Sequence, residues 1–232
     1  MLQNYNPEIL YEDNHIIVVN KKSGEIVQGD KTGDTPLNEL LKIYLKKKYN
    51  KPGNVFVGTV HRLDRPTSGV VMFAKTSKAL TRLNKLFQTK NAKKTYWAVT
   101  EKKPEKQSGQ LIDHLVKNEK QNKSYPYSKA INRSKEAVLD YQLKGQGDRY
   151  FYLEINPHTG RHHQIRVQLS NIGAIIKGDL KYGARRPNKD GSIHLHARVL
   201  EFQHPVKQEL VKIIAPVPND VIWQDFQNKM QK

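Results

Sequence analysis

The sequence contains no cysteine. That single absence excludes disulfides, zinc fingers, iron–sulfur clusters and thiol nucleophiles. Long apolar runs are missing too. Residues 16–19 and 70–74 are among the longest, far short of the roughly 20 residues a membrane helix needs. The N-terminus, Met1-Leu2-Gln3-Asn4-Tyr5-Asn6-Pro7-Glu8, has no basic segment followed by an apolar one, so it carries no secretory signal pattern. Gly-x-x-x-x-Gly-Lys-[Ser/Thr] and Gly-x-Gly-x-x-Gly phosphate loops are both absent, which removes support for nucleotide-driven and dinucleotide-dependent functions. Acidic residues are scarce: 22 Asp and Glu stand against 40 Lys and Arg, leaving a net charge of +18 over 232 residues. A surplus of that size points to a polyanionic partner, either nucleic acid or an anionic membrane face. Hydrophobic residues at 37% and charged residues at 27% still describe a globular chain. The reading at this level is a soluble, reduced, basic cytoplasmic protein.

No repeat or low-complexity linker divides the chain, so one domain over 1–232 is expected. Thr35 followed by Pro36 reads as a helix N-cap and first helical position. Leu37, Leu40, Leu41, Tyr44 and Leu45 then recur at helical spacing, with Lys42 and Lys46–Lys48 on the outer face. A second helix is predicted over residues 77–88, burying Leu80, Leu83 and Phe87, and others near 162–171 and 219–230. Strands are predicted at 15–19, 55–60, 69–75, 94–100, 137–143, 150–155 and 193–201. Strands and helices interleave without the rhythm of a doubly wound sheet. The expected class is α+β, a mixed and largely antiparallel sheet with flanking helices.

Charge is concentrated. Residues 81–135 hold fourteen Lys and Arg against four Asp and Glu, so they supply +10 of the +18. Within them, residues 117–129 interleave cations with Tyr125 and Tyr127 without amphipathic period. The expectation is a flexible loop that grips a phosphate backbone and stacks on unpaired bases. The plain alternative is a solvated loop whose tyrosines pack down, and the overall charge favours RNA contact.

Two segments could carry chemistry. In His61-Arg62-Leu63-Asp64-Arg65-Pro66-Thr67-Ser68-Gly69, Pro66 and Gly69 restrict the backbone, while Thr67 and Ser68 can bond local amides. A carboxylate among cations stays ionised and serves as nucleophile or base, and the plain alternative is a surface turn pairing Asp64 with Arg65. In His158-Thr159-Gly160-Arg161-His162-His163-Gln164-Ile165-Arg166-Val167, a helix after Gly160 would put His162, Ile165, Arg166 and Leu169 on one face. Arg166 beside apolar neighbours calls for a carboxylate partner, with Asp64 an obvious candidate. His61, Asp64, His162 and His163 could in principle ligate a cation. Adjacent histidines on a helix point about 100° apart, however, and no metal-helix spacing appears, so no metal is expected. His163, His194 and His196 are read as structural.

The first segment closely resembles the His-Arg-Leu-Asp-x-x-Thr-Ser-Gly signature of the RluA-type pseudouridine synthases. Lys94-Thr95-Tyr96-Trp97-Ala98 matches that family's Lys-x-Tyr-x-Ala strand, and residues 158–167 resemble its Thr-Gly-Arg-x-His-Gln-[Ile/Leu]-Arg-Val element. Gly178-Asp179-Leu180-Lys181-Tyr182-Gly183 is similar to Gly-Asp-x-x-Tyr-Gly, and Leu195-His196-Ala197 with Phe202-x-His204-Pro205 completes the order. The likeness runs from about residue 10 to 216. It implies the pseudouridine synthase catalytic fold and isomerisation of chosen uridines in ribosomal or transfer RNA. By the same resemblance Asp64 is the essential carboxylate acting on the ribose, and Tyr96 stacks on the flipped uracil. Arg166 pairs with Asp64, Arg62 fills the gap left by the extruded base, and Ile165 lies beside the base. No cofactor and no metal are expected, and the default reading is a monomer without an obligatory protein partner or membrane contact. His162 stands where the family usually has Thr, Gln168 where it often has His, and Glu101 replaces a common Gly. Many relatives carry an extra N-terminal S4 module, and the early start of the likeness leads us to expect none here. The rival reading is a non-catalytic RNA-binding or ribosome-assembly protein with the same fold.

Overall fold

The computed structural model describes residues 5–29 and 32–230. In chain order the elements are β1 (Ile9–Glu12), β2 (Ile16–Lys21), α1 (Leu37–Lys48), β3 (Gly58–Thr59), β4 (Ser68–Ala74), α2 (Ser77–Gln88), β5 (Lys93–Thr100), β6 (Ser108–Asn118), β7 (Lys123–Tyr127), β8 (Lys135–Gln146), β9 (Phe151–Pro157), α3 (Gln164–Asn171), a 3-10 turn (Leu180–Tyr182), β10 (Leu195–Gln203), β11 (Leu210–Ile214) and α4 (Val221–Met230). They form two compact units. One comprises residues up to Lys93 together with Arg198–Pro216, and the other Lys94–Ala197 together with the residues from Val217. Both are sheets flanked by helices, so the architecture is the expected α+β.

In the first unit the strand order is β1-β2-β4-β10, with β3 on β4 and β11 on β10. Asp13 makes the β1–β2 turn by accepting from the amides of His15 at 2.8 Å and Ile16 at 2.9 Å. β2 and β4 pair antiparallel with Val18 opposite Met72 and Lys21 opposite Gly69. Both strands are buried on both faces, which is why they read as unbroken apolar runs rather than alternation. Gly69 holds φ +114, a conformation that side chains rarely adopt. β3 is shorter than the predicted strand: only Gly58 and Thr59 pair with β4, opposite Ala74 and Phe73. Gly58 packs closely on α2, where a Cβ would lie 2.8 Å from Leu80 Cδ2.

α1 starts at Leu37 with Pro36 as an extended N-cap that makes no side-chain cap bond, one position later than the Thr35 cap expected. It stops where Asn50 turns left-handed and Lys51 N reaches back to Lys46 O at 3.0 Å. α2 is capped by Thr76, whose side chain accepts from Ala79 N at 3.1 Å. Its Ala79 and Leu83 pack into the core with Ile16, Val18, Met72, Phe202 and Ile213.

The second unit orders its strands β5-β9-β8-β6-β7, all antiparallel. The segment expected to be a flexible loop is a correction: residues 117–129 form most of a hairpin, with Val116 opposite Tyr125 and Asn118 opposite Lys123. β7 ends the strand order and so tolerates Pro126, which cannot donate to a further strand. Its Ser124 is buried, and Ser124 N donates to the Tyr182 hydroxyl at 2.9 Å. Trp223 and Phe226 of α4 close the unit, with the Phe226 ring stacked on Trp97 at 4.5 Å and Tyr152 at 4.7 Å. No helix among the described residues is long and apolar enough to cross a membrane.

Candidate active site

The segment His61–Gly69 leads into β4 and is held from one side by the end of β2. Lys21 Nζ donates to the carbonyls of Lys22 (2.9 Å), Arg65 (3.0 Å) and Thr67 (2.7 Å). Gly24 N also reaches Arg65 O at 2.9 Å, and the Ser23 hydroxyl reaches Pro66 O at 3.1 Å. Three successive carbonyls after Asp64 are thus fixed by three residues of one short turn. Lys21 itself is 1% exposed. Burial pushes its ammonium down to about 8, against the opposing pull of the Glu25 and Asp64 carboxylates. Lys21 was not singled out from the sequence. The available signal was a cation ending an apolar strand in the same register as Ile17 and Val19.

On this loop Leu63 is buried, Asp64 is half-buried and Arg62 is exposed. Thr67 N donates to Asp64 O at 3.0 Å, closing a tight turn. The bond expected from the Thr67 hydroxyl is not made: Thr67 Oγ1 is buried without a hydrogen-bond partner among the described residues. Arg65 pairs with Asp34 at 2.5 Å. His61 anchors the loop's start, accepting from Met72 N at 3.1 Å and stacking on Phe87 at 4.9 Å.

In the second unit Tyr96 lies on β5 opposite Ile155 of β9 and is 9% exposed. Ile165 and Arg166 occupy the first turn of α3, both buried. Arg166 grips Asp179 with two parallel bonds, Nε to Oδ2 at 2.7 Å and Nη2 to Oδ1 at 2.8 Å, and Asp179 is 1% exposed. The guanidinium also sits 5.1 Å from the Tyr182 ring centre. The sequence called for a carboxylate partner for Arg166, and within this unit Asp179 is one. It sits in the Gly178–Gly183 segment, to which the reading gave no role.

His162 does not share a helical face with Ile165 and Arg166 as expected. His163 adopts φ +54, so α3 begins only at Gln164 and His162 belongs to the preceding turn. There His162 Nδ1 meets the Ser124 hydroxyl at 2.9 Å, and its ring stacks on His163 at 3.7 Å. His163 Nδ1 meets the Tyr182 hydroxyl at 2.9 Å. The hairpin strand β7, the 3-10 turn and the start of α3 are therefore one hydrogen-bonded cluster around the Arg166–Asp179 pair. Among the described residues no group of three or more His, Cys, Asp or Glu could hold a metal ion.

Arg62 and Asp64 thus belong to the first unit, and Tyr96, Ile165 and Arg166 to the second. The family model of RNA pseudouridylate synthases matches residues 15–171, which include all five. The chain is 34% identical over 233 residues to ribosomal large subunit pseudouridine synthase D of Xylella fastidiosa, covering 92% of this chain and 67% of that protein. It is 31% identical to tRNA pseudouridine synthase C of Haemophilus influenzae, covering 96% of this chain and 97% of that one. Among solved structures, human RNA pseudouridylate synthase domain containing 4 superposes with a TM-score of 0.78 over 97% of this chain and 93% of that one, at 24% identity, which speaks to fold alone. By its motifs, its matched family model and these relatives, the chain belongs to the RluA-type RNA pseudouridylate synthases and is an isomerase.

Proposed function

We propose that the chain converts chosen uridines of ribosomal or transfer RNA to pseudouridine with Asp64 as the reacting carboxylate. The observation that carries this reading is the rigid seat of Asp64. The next three carbonyls are tied down by Gly24, Ser23 and the buried Lys21 cation, so the carboxylate enters the reaction with little motion left to freeze. The reaction breaks the N1–C1′ bond, turns the retained uracil and forms a C5–C1′ bond. The C5 proton leaves and N1 regains one, so no external reactant is consumed. Asp64 starts it either by attacking C1′ or by removing the C2′ proton. Uracil departs as a delocalised anion, so one carboxylate suffices where glycoside hydrolases commonly use two.

Tyr96 stacks on the extruded base and Ile165 lines its apolar side. Arg166 pairs with Asp64 and keeps it ionised, and the bidentate grip of Asp179 fixes the guanidinium plane. Arg62, exposed on the loop, takes the space the base vacates, offsetting an unstacking cost of a few kcal/mol. The chain acts as a monomer in the cytoplasm, without metal, cofactor or obligatory protein partner. The test uses total RNA carrying tritium at uridine C5, drawn from cells that lack the protein. Tritium release by the wild type and none by Asp64→Asn is the expected result. Equal release from both, or none from either, overturns the proposal.

A further inference from the structure

The solvent face of α1 carries a feature that the isomerisation does not use. Glu39, Lys42, Ile43 and Lys46 stand on one helical stripe and form one wall of a cavity of about 390 Å³, with Asn54 and Val55 as the other. That volume falls within the range of small-ligand sites. Ile43 and Val55 are half-buried, Asn54 is exposed, and Lys42 is tied to Glu39 at 2.7 Å, while Lys46 is exposed. One turn further along the stripe comes Tyr49, 48% exposed, with the ammonium groups of Lys48, Lys51 and Lys75 at 5.4, 5.9 and 5.0 Å from its ring centre. Phe56, next to Val55, is 44% exposed. Beside the Tyr49 ring Glu12 is paired with Lys48 and Lys75 and accepts from the Tyr49 hydroxyl at 2.7 Å, and Lys46, Lys47 and Lys51 remain exposed on the surface.

Cations in the last turn of a helix also complement its dipole. That accounts for Lys46 to Lys48. It does not account for Lys51, which lies beyond the helix, or for two half-exposed aromatic residues that follow in sequence from a groove lined in part by Ile43 and Val55. Apolar lining from Ile43 and Val55, the Asn54 amide, aromatic faces and ammonium groups together match a nucleotide: a base to bury, an edge to bond, a phosphate to neutralise.

The position fits as well. α1 begins close to the Asp64 loop, since Leu37 N bonds Ile26 O at 2.8 Å and Arg65 bonds Asp34 at 2.5 Å. It ends beside Lys75, at the far end of β4. Twelve residues of α1 span about 18 Å. We infer that the substrate RNA continues from the Asp64 loop along α1, with an unpaired base on Ile43 and Val55 and its backbone on Lys46, Lys47 and Lys51. This rests on RNA being the substrate and extends it to nucleotides away from the reacting uridine.

The test replaces Lys46, Lys47 and Lys51 together with Glu, with the triple Gln replacement as a milder control. The salt dependence of binding is measured on a fluorescein-labelled 20-nucleotide single-stranded RNA. The logarithmic slope should flatten by about 2 units, near 0.7 for each lost single-strand phosphate contact. On tritiated total RNA, KM should rise about tenfold with kcat unchanged. RNA containing 4-thiouridine should crosslink to Tyr49 or Phe56 in the wild type. Unchanged slope and KM with no crosslink in this stretch overturns the inference, as does loss of kcat at constant KM. Lysine-dependent capture by phosphatidylserine vesicles with RNA binding intact assigns the patch to membranes and also overturns it. A wild type inactive on every RNA would sink the isomerase mechanism alone, because slope and crosslink are read without turnover.

Discussion

Replacing Lys21 by Met tests whether one buried cation holds the Asp64 loop in shape. Methionine nearly matches the chain length of lysine but has no donor. Arg65 O keeps its bond from Gly24 N, while the carbonyls of Lys22 and Thr67 lose their Lys21 donor at 2.9 and 2.7 Å. A buried acceptor stripped of its partner costs about 1–3 kcal/mol, partly offset because the variant no longer buries a charge. The expected net loss at pH 7 is about 2–3 kcal/mol. The pH dependence is the sharper test. Lys21 titrates near 8 in the fold against 10.5 when unfolded, so between those values the unfolded chain binds the extra proton. Wild-type stability relative to Lys21→Met therefore rises with pH across that window. Those two values give a gain of about 2 kcal/mol between pH 7 and pH 9.5. Urea denaturation of both proteins at the two pH values, followed by far-ultraviolet circular dichroism, reads both numbers. A difference below about 0.5 kcal/mol at pH 7 would refute the clamp. A difference that stays flat or shrinks toward pH 9.5 would refute the buried ammonium.

Asp179→Ala leaves Arg166 buried without its bidentate partner and should lower stability by about 3–5 kcal/mol, read by chemical denaturation. Thr67→Val removes a buried hydroxyl that has no hydrogen-bond partner among the described residues. It should be neutral or stabilising by up to about 1 kcal/mol, and a loss above that would reveal an unseen bond. Asp220 caps α4 through the amides of Ile222 and Trp223, and the His194 bond holds its carboxyl down to about 2. Asp220→Ala should therefore cost about 1 kcal/mol near neutrality. Because the folded pKa is depressed, that advantage is fully present above the ordinary 3.8 and fades as pH falls through about 2, which acid titration of both proteins checks.

Helices α1 and α2 and strands β2 and β4 were legible because each announces itself within its own dozen residues. A leucine period and short apolar runs are local facts. The β6–β7 hairpin was illegible for the opposite reason. Lys117, Lys120 and Lys123 crowd its turn end, and the buried contact that fixes Ser124 is Tyr182, fifty-eight positions away. His163 turns left-handed without being glycine, so nothing local marks where α3 begins. The proposed site divides along the same line. Asp64, Tyr96 and Arg166 were legible because each stands in a segment that resembles a motif of the family. Lys21 and Asp179 hold such groups in place, and their identity answers to particular carbonyls and one guanidinium supplied by remote segments. A buried ion takes its value from its partners' geometry, and a single sequence gives no geometry. Supporting residues of this kind become readable only when the fold brings their partners within 3 Å, as it does for both here.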